Sequence, residues 1–340
     1  MDFGVLSKYR NQIYGVSALW IMLFHFWGFG FIPCEGQGIA RALLSNGRVG
    51  VDIFLFLSGM SLYFSYHKRP DARTFYSRRL LRLLVPVYLI SVPRWIHEYL
   101  VLTWKPDEFV MSASLLKLFV VGDNTVWFVS FILLCYVMYP VIYEVAIRDR
   151  THRQRMVEML ALCAFALLWF WLLHGHSIAI FTRYEIWVGR VPSFLLGCAV
   201  GPLVYERKRL PAPLVVCSCV VVLGYLAMFE QWLMPRWWWR ASLAPCGAAI
   251  AIVLGVLCMA ADKAFSGRGA VLKALGSLGG VSLELYLTHI CARYVVWRCI
   301  GVPEQFYPML GLPLVVASIA MAHALRWLSN RIQEGRLREG

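Results

Sequence analysis

Charge is scarce in this chain. Only 15% of its 340 residues are Asp, Glu, Lys or Arg, against about 25% in a typical soluble domain. No polar stretch exceeds roughly twenty residues, so no separate soluble domain fits beside the apolar segments. Acidic residues are rarer than basic ones, 19 against 33. The resulting net charge of +14 invites a nucleic-acid partner. Basic loops on one side of a membrane explain the same excess, and no nucleic acid is expected. Walker A and dinucleotide-type glycine loops are absent, so a bound phosphate would need arginines instead. Ten cysteines are present, but only Cys34 lies clearly in a loop. Cys217 and Cys219 have no second ligand pair nearby. Neither a disulfide framework nor a metal site is expected.

What the chain has in abundance is apolar sequence; 60% of it is hydrophobic. About 20 apolar residues cross a bilayer, and ten segments qualify: about 12–33, 49–66, 82–103, 125–147, 156–174, 187–205, 212–230, 242–261, 274–299 and 308–327. The first follows Lys8 and Arg10 and looks like a signal sequence. It is too long for one and has no small-x-small cleavage site, so it reads as an uncleaved span. The expected fold is an all-α, polytopic membrane helical bundle of about ten transmembrane helices, one domain over 1–340. Lys and Arg gather in alternate connections: 1–11, 67–82, 148–155, 206–209, 262–273 and the tail from Arg326. The intervening loops hold few, so both termini are expected to be cytoplasmic. Residues 231–241 cluster four tryptophans with two arginines. They read as an interfacial aromatic belt or as a platform for sugar rings.

Ionisable residues inside spans are costly and mark function or internal pairing. His25 lies in the first span and Asp52 near the outer end of the second. As neighbours, the carboxylate would orient the imidazole for proton abstraction from a hydroxyl; the alternative is an interhelical clasp. Glu284, Tyr286 and His289 lie in the ninth span, with Tyr286 and His289 on one helix face. Arg190 is a counter-ion for an acid or a substrate group. Pro86, Pro93, Arg94, His97 and Glu98 interrupt the third span, which is expected to kink. At its entry, Arg78, Arg79 and Arg82 offer guanidinium forks for phosphate or for anionic lipid. Asp52 and these arginines are expected near opposite membrane faces, not in one compact site.

Five blocks then resemble one family, in its order: GVDIFLFLSGMSLYFS, FYSRRLLRLLVPVYL, VWFVSFILLCYVMYPVIY, GRVPSFLLGCAVG and LGSLGGVSLELYLTH. Together they make the chain similar to the acyltransferase 3 family of integral membrane acyltransferases. The resemblance covers about residues 8–327. It implies acyl transfer, most often acetyl from acetyl-CoA, to hydroxyls of cell-envelope glycans or similar acceptors. It also implies His25 as the catalytic histidine and Arg79 and Arg82 as donor arginines, with Arg78 beside them. Asp52, Trp127, Arg190 and His289 fall on motif positions. Family members usually have ten residues between an arginine and the first-span histidine. Here fourteen residues separate Arg10 from His25, and an alternative alignment puts Ser17 at the arginine's position. No SGNH-type extension follows Trp327, so a stand-alone enzyme is expected, in a bacterial inner membrane. Acyl-CoA would be co-substrate, with no bound cofactor. A transporter or flippase for a lipid or glycan is the alternative reading.

Overall fold

Backbone inside a bilayer must satisfy its hydrogen bonds within its own segment, so apolar runs of this length fold as helices. The computed structural model describes residues 1–34, 38–123, 125–227, 236–267 and 269–338, without the side chains of 236–239 and 335–338. In the tryptophan-rich segment 231–241, residues 231–235 and the side chains of 236–239 therefore lie outside the described residues. Among the described residues there is no strand; Asp2 and Arg209 form one isolated bridge. The helices are α1 (Gly4–Lys8), α2 (Arg10–Gly28), α3 (Ile39–Ser45), α4 (Gly50–His67), α5 (Ala72–Trp95), α6 (Pro106–Ala113), α7 (Lys117–Val121), α8 (Trp127–Ala146), α9 (His152–His176), α10 (Ile178–Val188), α11 (Val191–Tyr205), α12 (Ala212–Ala227), α13 (Arg236–Ala264), α14 (Ala270–Gly280), α15 (Ser282–Tyr294) and α16 (Tyr307–Arg338).

Among the described residues, 7 stretches are long and apolar enough to cross a membrane, or 8 if α14 and α15 count as one span bent by 75°. The remaining two of the ten expected segments correspond to α2 and α12. Helix α2 opens on Arg10, Asn11 and Gln12, which lowers its hydropathy, and α12 is described over 16 residues. The third expected span does not break at its prolines. It runs from Ala72 to Leu102 by widening into a π-helix over Ile96–Leu102, just after Pro93.

Helix α4 is apolar around its whole circumference and buried, as a central helix must be. Helices α2, α5, α8, α11 and α15 contribute with it to one continuous core. On the outside, α9 and α16 expose apolar side chains such as Phe165, Trp169, Leu312 and Val316, which suits a lipid-facing surface.

Two junctions decide where the site falls, and small residues make both. Helix α4 meets α11 through Gly59, Gly197 and Gly201; a Cβ on Gly197 would strike the Phe56 carbonyl. Helix α2 meets α14 through Gly15 and Gly279, where a Cβ on Gly279 would strike the Asn11 carbonyl. Gly280, one residue on, has nothing within 4 Å of such a Cβ. Gly279→Leu is therefore expected to lose about 1–3 kcal/mol or more through overpacking, while Gly280→Ala stays near wild type. Thermal unfolding in detergent checks both; equal midpoints for the two variants would refute the junction.

Candidate active site

The helical repeat sorts side chains into stripes, since successive residues are about 100° apart. On α2 the residues Arg10, Tyr14, Ala18 and Ile21 share one stripe, and His25 continues it toward the helix's far end. On α4 the corresponding stripe is Val51, Phe54, Ser58 and Ser61. On α8 it is Phe128, Ile132 and Tyr136, and on α15 it is Ser282, Tyr286 and His289. These stripes, except for His25, which lies beyond the lining and meets it only through His289, enclose with Arg79 and Arg82 from α5 and Arg326 from α16 one cavity of about 440 Å³. That volume lies in the range of ligand pockets, about 300–1,000 Å³. Gly279 and Gly280, at the bend between α14 and α15, complete the wall.

Four arginines thus meet around one space. Arg10 donates to the Ser61 hydroxyl at 3.4 Å and Arg79 to the Ser65 hydroxyl at 2.8 Å. Arg326 pairs with Glu284 at 3.2 Å, and that carboxylate is almost wholly buried. Arg82 has no ion-pair partner among the described residues. One carboxylate therefore faces four guanidinium groups, an arrangement that attracts an anion carrying more than one charge.

The other end of the cavity is histidine. His289 is buried and its Nδ1 lies 2.8 Å from the Leu285 carbonyl oxygen. A carbonyl only accepts, so Nδ1 carries the hydrogen and the neutral ring's Nε2 is an acceptor. That Nε2 lies 2.8 Å from Nδ1 of His25, with the rings stacked at 5.1 Å. Nδ1 of His25 must then donate. Its Nε2 is left as the basic nitrogen of the pair. The logic is that of any oriented histidine base, with an imidazole where a carboxylate is more usual. Tyr286 packs its ring 5.8 Å from that of His289, as their shared helix face requires.

Several sequence expectations change here. Asp52, expected beside His25, belongs to another site. It sits one residue round from the cavity stripe of α4, on the side facing α11. There its two oxygens accept from Ser193 Oγ at 2.6 Å and Arg190 Nε at 3.3 Å. All three residues are almost fully buried, and Arg190 lies over the Trp127 ring at 5.0 Å. Asp52, Arg190 and Trp127 thus form a polar clasp between α4 and the start of α11, and none of them lines the cavity. Glu284, a candidate pocket residue, pairs with Arg326. Arg78 is exposed and does not line the cavity that Arg79 and Arg82 line. Asp52, expected apart from the donor arginines, does not share their cavity; His289 does, bordering the same continuous space as Arg79 and Arg82. Tyr14, Ser58, Ser61, Tyr136 and Arg326 were not singled out from the sequence. The α2 and α4 stripes were readable there by spacing, and Arg326 at the end of the last apolar run carried a signal as an interfacial cation.

Among the described residues no group of three or more His, Cys, Asp or Glu is placed to hold a metal. A family model described as an acyltransferase domain, acyltransferase 3, matches residues 12–327. No curated protein and no solved structure matches the chain. With the family model covering nearly the whole chain and apolar helices of spanning length throughout, the protein belongs to the acyltransferase 3 family and is a multi-pass membrane acyltransferase.

Proposed function

We propose that the protein moves an acyl group, acetyl in the simplest case, from acyl-CoA to a hydroxyl of a cell-envelope glycan or similar acceptor. The observation that carries this reading is continuity. One cavity runs from Arg10, Arg79, Arg82 and Arg326 to His289, which in turn fixes His25. In a chain without a phosphate-binding loop, the arginines are the groups suited to the phosphates of CoA. Arg10 and His25 lie fifteen residues apart on α2, about 22 Å along the axis, comparable with an extended phosphopantetheine arm. The thioester would then lie near the histidine pair while the nucleotide end stays at the basic mouth. With that mouth taken as cytoplasmic, donor and acceptor approach from opposite sides of the membrane.

In the transfer step, Nε2 of His25 takes the acceptor hydroxyl's proton as its oxygen attacks the thioester carbonyl. The carbon–sulfur bond breaks, the ester forms, and the proton passes from His25 to the departing CoA thiolate. No redox step or added co-reactant is required. Protein in nanodiscs, supplied with radiolabelled acetyl-CoA and an envelope glycan fraction, tests the reaction. Alkali-labile label on the glycan is the expected result. Label that stays on CoA with every acceptor fraction would overturn the proposal.

The donor end makes its own prediction. Arg79→Gln and Arg82→Gln are each expected to raise KM for acyl-CoA about 10–100-fold, the worth of a charged hydrogen bond, with a smaller change in kcat. Arg78→Gln should change KM by less than about twofold, because that side chain does not line the cavity. Steady-state kinetics on the three variants decides the matter; a larger effect at Arg78 than at Arg82 would put the donor elsewhere.

A further inference from the structure

The proposed function leaves the acceptor undefined, and a second cationic group stands where an acceptor would approach. Beyond His289, α15 continues through Tyr294 into a π-helix over Val295–Ile300, opposite the π-helix of Ile96–Leu102. π-Helical turns are rare and often mark functional sites. Three arginines occupy this end. Arg298 is neutralised by Glu98 at 3.1 Å, and Glu98 also accepts from the Tyr294 hydroxyl at 2.9 Å. Arg94 has no ion pair among the described residues, but it is half-buried and rests on the Tyr294 ring at 5.0 Å. Arg293 is different. It is exposed, and no carboxylate pairs with it among the described residues.

The position of Arg293 gives that exposure a meaning. It follows His289 by four residues, one helical turn further out. Its guanidinium lies 3.6 Å above the Phe29 ring centroid, and Phe29 stacks on His25 at 5.8 Å with 9° between the rings. Phe29 is thus the shared neighbour of the proposed base and an uncompensated cation. Trp297, 52% exposed, places a second aromatic face 5.9 Å from the same guanidinium. Rings beside a free guanidinium suit a sugar that carries an acid group, with the ring stacked and the charge met by the fork. Phe29 stands between Arg293 and His25, so the group that Arg293 would meet is one some bonds away from the attacked hydroxyl.

Resting on the acyltransferase reading above, we infer that the acceptor is anionic, with a carboxylate or phosphate near the acylated hydroxyl, and that Arg293 selects for it. The test uses the full chain in nanodiscs and three matched probes: methyl glucoside, methyl glucuronide and methyl glucoside 6-phosphate. Binding is read from the thermal unfolding midpoint over a concentration series, and CoA release from acetyl-CoA is followed in parallel. The expected result is saturable stabilisation by one or both anionic probes and little by the neutral one. Arg293→Gln should weaken anionic binding about tenfold or more, Arg293→Lys should retain most of it, and Arg293→Glu should abolish it. Response to the glucuronide alone assigns a carboxylate, to the phosphate alone a phosphate. Equal response to all three probes, no response to either anionic probe, or an unchanged preference in Arg293→Gln overturns the inference. In those cases the guanidinium serves lipid headgroups instead. Wild-type CoA release separates the two proposals: its absence with every probe and with envelope glycan counts against acyl transfer itself, whereas release without anion preference counts against Arg293 alone.

Discussion

His25→Ala is expected to lower acyl transfer by about 10²–10⁴-fold, the usual worth of a positioned general base, while acyl-CoA still binds. The separation follows from the geometry. On the proposed reading, donor affinity would reside in guanidinium groups, of which Arg10 lies about 22 Å from His25 along α2, whereas His25 would act on the acceptor proton. KM for acyl-CoA should therefore hold while kcat falls. The neighbouring histidine sharpens the test. His289 accepts from Nδ1 of His25 only because its own Nδ1 is occupied by the Leu285 carbonyl. His289→Gln keeps an acceptor at that place and should lose less activity than His289→Leu, which keeps none. Rates for the three variants at saturating donor check the order. His25→Ala within tenfold of wild type, or His289→Gln as slow as His289→Leu, would remove the base from this position.

Asp52→Ala is expected to cost about 3–5 kcal/mol of stability, because it strands a buried guanidinium. Arg190 is 2% exposed, and Asp52 is its only ion-pair partner among the described residues. Ser193 would lose its acceptor as well. The informative experiment is the double variant, Asp52→Ala with Arg190→Met. Removing both charges leaves no stranded ion, and such replacements of buried pairs are often neutral or stabilising. A clasp predicts that the double variant regains folded yield and acyl transfer together. A catalytic Asp52 predicts a folded double variant without activity. Yield by fluorescence-detected size exclusion, followed by turnover, distinguishes the two.

The difference between these carboxylate and histidine roles was only partly legible in the sequence. Spans and family blocks are properties of local composition and order, so the helical bundle and the chemistry-bearing segments could be read directly. Neighbouring spans suggested His25 and Asp52 as partners, because antiparallel helices adjacent in sequence often touch. They do touch here, but the rotation of α4 about its axis decides which residues face which neighbour. Gly59, Gly197 and Gly201 seat the Asp52 side of α4 against α11 and leave Val51, Phe54 and Ser58 for the cavity. That rotation depends on contacts between residues more than a hundred positions apart, which no local pattern carries. The His25–His289 pair, from α2 and α15, was hidden for the same reason. Arg326 was counted among basic tail residues because its inward partner, Glu284, lies on another helix.

The stripe on α2 also bears on a difference in spacing. Family members usually have ten residues between the first-span arginine and histidine, and this chain has fourteen between Arg10 and His25. Four residues are close to one helical turn, so the shift turns Arg10 by only about 40° and moves it about 6 Å along the axis. Arg10 consequently still faces the cavity, whereas a change of two residues would have turned it to the opposite side. The first helix thus behaves as a vernier. Insertions of three or four residues between His25 and Arg10 lengthen the distance between them without turning the cation away from the cavity, and single-residue insertions do not have that freedom.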